Sequence, residues 1–178
     1  MRIALTVLLA GAAAATSSTA LAAAPGRAAD PVPEITRSAI APQAIGAAHT
    51  LRQIPEACAR IEGVFTGDAA EPYRFAVVRT SANCQPRARF VDAAKAKPSV
   101  ATGWKFNDLI RVASTGCPTQ QAVVRVWRKP VDQTQKLDGQ GQSRIYLEES
   151  KQAAAAGKTA AVPMFAAAMS VEGKACGG

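Results

Sequence analysis

The chain has 178 residues, 48% hydrophobic and 5% aromatic, with 21 Lys and Arg against 13 Asp and Glu and a formal net charge of +8. One histidine and four cysteines leave little material for histidine-based catalysis or a His/Cys metal centre. The length suits one folded domain plus tail segments, and the basic balance directs attention to anionic partners.

The chain opens MRIALTVLLAGAAAATSSTALAAAPG. Arg2 precedes an apolar run from Ile3 to about Ala15, and small residues end in Ala20-Leu21-Ala22. This pattern predicts a signal peptide over 1–22, cleaved after Ala22. The run is shorter than the roughly 18 to 20 apolar residues of a membrane span, as is every later one. No cysteine near the cleavage region offers a lipid attachment point. The mature protein is expected to be periplasmic or secreted, in an oxidising compartment, with 20 basic and 13 acidic residues, a net +7.

Residues 23–53 are rich in Ala and Pro, including Pro25, Pro31, Pro33 and Pro42, and lack a sustained apolar period. They predict a flexible tether. His49 falls in it and is expected to be solvated, with no scaffold to aim it and nothing lost on its removal. The folded domain is then 54–178, without internal repeats.

Within it, alternating or β-branched runs between turn signals predict seven strands: 61–66, 73–80, 87–93, 104–113, 121–129, 143–149 and 162–171. The fold class is mostly β, a small disulfide-stapled antiparallel sandwich or partly open barrel. Helix is confined to one turn after Pro55 and to EESKQAAAAG, which Gly157 could end. GDAAEP (67–72) reads as a hairpin turn whose open end brings Cys58 toward Cys84. That pairing leaves Cys117 for Cys176. Both bonds read as structural, since no CxxC pair or base-partnered cysteine occurs.

AVVRVWRKP (122–130) is the most informative segment. As a strand it places Arg125, Trp127 and Lys129 on one face and Val124, Val126 and Arg128 on the other. A hairpin with 143–149 would set Trp127 against Tyr146, Arg125 against Glu148, and Lys129 against Arg144. The like charges at the loop end, with Arg128 nearby and Arg87 and Arg89 alternating in PRARFV, suggest an anion site. The competing reading is the wet side of a sheet. Residues 73–131 hold 11 Lys and Arg against only Asp92 and Asp108.

Catalytic constellations are not evident: no GxSxG elbow, no paired zinc ligands, few carboxylates. Asp108 interrupts the apolar alternation Trp104, Phe106, Asp108, Ile110, Val112, which predicts a bulge at Asn107-Asp108 or a buried arginine partner. No cofactor or metal is expected. The sequence predicts an exported, non-catalytic binding or accessory domain whose basic, aromatic face (Arg125, Trp127, Arg128, Lys129, Arg144, Tyr146) contacts an anionic envelope polymer, lipid head groups or another exported protein. Export argues against nucleic acid. The alternatives are an inhibitor or chaperone of a secreted protein, with KPVDQTQKLDGQGQ as its protruding loop, and an unrecognised hydrolase.

Overall fold

Period-two alternation yields strands through most of the domain. The computed structural model describes residues 29–131, 152, 155–157 and 161–176. Among these are eight strands: β1 (Ile40–Gln43), β2 (His49–Ile54), β3 (Ala59–Phe65), β4 (Tyr73–Arg79), β5 (Arg89–Asp92), β6 (Lys105–Ser114), β7 (Gln120–Lys129) and β8 (Met164–Gly173). They form a five-stranded sheet, ordered β1-β6-β7-β8-β5, and a three-stranded sheet, ordered β2-β3-β4. The described residues are thus mostly β, in two sheets with no closed barrel.

The smaller sheet is antiparallel throughout. In the larger one β6, β7 and β8 are antiparallel neighbours, while β1 and β5 add parallel to β6 and β8 as short edges. Every second residue of the central strands enters one core. Ile61, Phe65 and Tyr73 of the small sheet meet Ile110, Val112, Val124, Val126 and Phe165 of the large one, all within 5% of full burial. Burying each such side chain stabilises the fold by roughly 1.5 to 3 kcal/mol.

The β3–β4 hairpin forms as expected. Thr66 and Asp68 order its turn: Asp68 N–H donates to Thr66 Oγ1 at 3.0 Å and Ala70 N–H to Asp68 Oδ1 at 2.8 Å. Its open end carries the Cys58–Cys84 disulfide, and Cys117–Cys176 pins the tail beyond β8 to the turn before β7. A 3-10 turn over Pro55–Ala57 follows β2, also as expected. Of EESKQAAAAG only Gln152 and 155–157 are described, with Gly157 at a φ of +67°. Two helical turns were not foreseen: a 3-10 turn over Val100–Thr102, and α1 (Ala93–Ala96), capped by Asp92, whose carboxylate accepts from Ala94 N–H at 2.9 Å.

The tether assignment is corrected. The folded unit begins at Pro31, and 40–54 supplies two strands. β1 lies along the free edge of β6, with Ile40 opposite Val112, and β2 pairs with β3, burying Leu51 and Ile54 to 2% and 1% exposure. His49 is therefore half-buried and held in place: its Nδ1 lies 3.2 Å from the Ala47 carbonyl and its Nε2 is hydrogen-bonded to the Tyr73 hydroxyl at 2.8 Å. Burial pushes the Tyr73 phenol well above its ordinary range. Tyr73 reaches His49 by lying across Gly63: a Cβ there would sit 1.7 Å from the hydroxyl.

The expected hairpin between 121–129 and 143–149 is also corrected. β7 is the middle strand, paired to β6 from Lys105 to Ala113 and to β8 from Met164 to Gly173. Both its edges are filled by β6 and β8, and 143–149 lies outside the described residues.

Candidate binding surface

β7 alternates as its sequence requires. Ala122, Val124 and Val126 enter the core, and Arg125, Trp127 and Lys129 share the opposite face. The structure gives each of these a distinct environment.

Trp127 packs on Phe106, with ring centroids 4.8 Å apart and planes tilted by 52°. The expected bulge is present between Phe106 and Asp108. It places Phe106 opposite Trp127 and turns Asp108 and Ile110 into the core. Trp127 also lines an open cleft of about 530 Å³ with Asp92, Lys97, Pro98 and Ala168.

Arg125 is 8% exposed. It donates to Ser170 Oγ and Glu172 Oε1, both at 3.0 Å, while Arg111 donates to Glu172 Oε2 at 2.9 Å. The hydrogen bonds from Arg111 and then Arg125 hold the Glu172 carboxyl below its ordinary range. Arg128 grips Glu34 through two bonds, Nη2 to Oε1 at 2.6 Å and Nε to Oε2 at 3.1 Å. That grip, joined by Asn107 Nδ2 at 2.8 Å, depresses the Glu34 carboxyl and raises the Arg128 guanidinium. Neither arginine is spare.

Lys129 differs. Its side chain makes no hydrogen bond or ion pair, and neither do those of Arg87, Arg89, Lys95 and Lys97 among the described residues. The sheet register then brings together two of these that sequence spacing kept apart. Lys129 stands opposite Met164 on β8, and Met164 opposite Arg89 on β5. Two interstrand steps separate the cations, about 10 Å at the backbone, and both project to the Trp127 side. Arg87 precedes β5, its N–H bonded to the Glu56 carbonyl at 2.7 Å, so the expected Arg87/Arg89 alternation does not hold. Arg144 and Tyr146 lie outside the described residues. Their expected places opposite Lys129 and Trp127 belong to Met164 and Phe106 on one edge or the other of β7.

Comparison with protein families, curated proteins and solved structures found no match. The chemistry must be read from the side chains themselves.

Asp108 is fully buried and holds two arginines on one oxygen: Arg37 Nε at 2.7 Å and Arg52 Nη1 at 2.5 Å. Its other oxygen has no partner. This is the arginine-paired carboxylate its position implied, and its partners come from the stretch read as tether. Three tether-stretch residues, Glu34, Arg37 and Arg52, were missed for that reason; each answers a charge more than 50 positions away. Among the described residues no three His, Cys, Asp or Glu side chains are grouped to hold a metal ion.

Proposed function

We propose that this is an exported, non-catalytic accessory domain that binds an anionic polymer of the cell envelope along the ends of β7, β8 and β5. The observation that carries the reading is the in-register pair Lys129 and Arg89, two side chains without partners flanking Met164 on one face. Arg125, Arg111 and Arg128, by contrast, are committed to internal carboxylates. Like charges set two strands apart repel unless an anion lies between them, and a flexible polyanion can engage both together with Lys97 beside the Trp127 cleft.

A polymer suits the surface better than a bilayer. Trp127 is packed on Phe106, and among the described residues the exposed large apolar side chains, Val32, Ile45, Val77 and Val100, do not belong to the row.

The test is retention on heparin at graded salt. Lys129→Ala and Arg89→Ala should each elute at lower salt than Lys174→Ala, and the double variant lower still, because clustered charges act on one ligand. Equal shifts from all three single variants would show that only net charge is read and would remove the site. Sedimentation with anionic vesicles, and not with soluble polyanions, would transfer it to lipid.

A further inference from the structure

The two disulfides occupy unlike surroundings. Cys58 is 3% exposed and sits at the base of the β3–β4 hairpin, where its carbonyl accepts from Thr80 N–H at 2.9 Å, and its partner Cys84 is half-buried. Cys176 is exposed, three residues beyond the end of β8. The tail that carries it folds back so closely over the preceding turn that a Cβ at Gly173, whose φ is +95°, would meet the Thr119 carbonyl oxygen at 2.0 Å. Cys117, its partner, is 9% exposed.

One hydrogen-bond donor is aimed at this second bond, and a hydroxyl that donates to the Lys174 carbonyl lies beside it. Cys176 N–H donates to Cys117 Sγ at 3.1 Å. The Thr119 hydroxyl lies 3.4 Å from Cys176 Sγ, 3.7 Å from Cys117 Sγ and 3.1 Å from the Lys174 carbonyl. A cleft of about 220 Å³ opens onto both cysteines, walled by Ile45, Phe65, Pro72 and Gly116. Cys176 is thus the more exposed residue of the pair, and Cys117 Sγ has an N–H already aimed at it.

We propose that Cys117–Cys176 is a thiol–disulfide exchange site, with Cys176 Sγ as the atom attacked and small thiols as the ligand class. An external thiolate forms a bond to Cys176 Sγ as the Cys117–Cys176 bond breaks. The electron pair of the broken bond stays on Cys117 Sγ, where the Cys176 N–H receives the new thiolate. The product is a mixed disulfide at Cys176, with no net oxidation or reduction. Attack by the Cys117 thiolate on Cys176 Sγ reverses the step and returns the external thiolate. A dithiol carries it further: its second thiolate displaces Cys176, and the reagent leaves as a disulfide, oxidised by the two electrons that reduce the protein. Opening frees residues 174–176 while β8 keeps its register with β7. The site is independent of the anionic surface proposed above.

The experiment treats the oxidised full-length protein under native conditions with glutathione or dithiothreitol, traps free thiols by alkylation at intervals, and maps the products by peptide mass. Glutathione should appear on Cys176, and label on Cys117, roughly tenfold or more faster than either at Cys58 or Cys84, with the circular dichroism of the sheets retained. Equal rates at both disulfides, an adduct on Cys117, or release of Cys117 only as the sheets unfold would overturn the proposal. The Cys117→Ser/Cys176→Ser variant should lack the fast phase; should it fail to fold, the mapping on the natural sequence still decides.

Discussion

Replacing Asp108 by Asn tests the account of how the N-terminal segment is held. The substitution keeps the shape and removes the charge. Its amide oxygen can still face Arg37 and Arg52, and its NH2 takes the place of the oxygen that has no partner. What is lost is the negative charge on which the Arg37 and Arg52 guanidiniums converge. Arg52, 11% exposed, cannot reach much water, whereas Arg37, 32% exposed, can. Breaking a buried ion pair from one side costs about 3 to 5 kcal/mol, and the partial hydration of Arg37 favours the lower end, about 3. For a domain of this size that corresponds to a fall of roughly 10 °C in Tm. Thermal and urea unfolding give the number, and limited proteolysis should show earlier cleavage around residues 36–39. Arg37→Gln should cost about 1 kcal/mol, because the pair it breaks is half open to solvent. An Asp108→Asn protein within about 0.5 kcal/mol of the natural one would show that the arginine pair does not hold this segment.

The remaining predictions concern the other internal contacts. His49→Ala should lower stability by about 1 to 2 kcal/mol by leaving the buried Tyr73 hydroxyl without its hydrogen-bond partner, and urea denaturation reads it. Gly63→Ala should cost more, since the Cβ would lie 1.7 Å from the Tyr73 hydroxyl and 2.4 Å from the ring carbon that bears it; Gly63→Ala/Tyr73→Phe should recover only part of the loss, and full recovery would show that the ring itself does not collide. The Glu34 and Glu172 carboxyls are depressed in the folded state, so the stability they contribute is complete above the ordinary carboxylate value, about 4.3, and fades as pH falls through their lower folded values. Tm should therefore drop below about pH 4, and Glu34→Gln with Glu172→Gln should flatten that part of the profile. An unchanged slope in the double variant would place the acid sensitivity elsewhere.

Much of the fold was legible because it is local. The hairpin around GDAAEP needed only a turn between two alternating runs, and its geometry settled both disulfides. The bulge at Asn107-Asp108 announced itself as a carboxylate in an apolar series. β1 and β2 were hidden because alanine and proline dominate their surroundings and because HTLRQI turns an arginine inward. That choice makes sense only beside an aspartate 56 residues away. The partner of β7 was misread for a related reason. β8 (MFAAAMSVEG) is rich in alanine and distant, while 143–149 offers aromatic and charged matches nearby, and proximity in sequence favoured the wrong strand. The candidate site shared that fate: Lys129 was recognised, but its companion across the sheet is Arg89, a neighbour only through β8.

The pairing of Lys129 with Met164 has one more implication. The last residue of β7 and the first of β8 face each other across an antiparallel ladder, about 5 Å apart, although 34 residues intervene in the chain. The sheet is thus indifferent to what connects these two points, because loop-closure entropy grows only logarithmically with length. Changing the length of the chain between these two points should therefore cost little, and the ten pairs of β7 with β8 and the eight with β6 are expected to close as before.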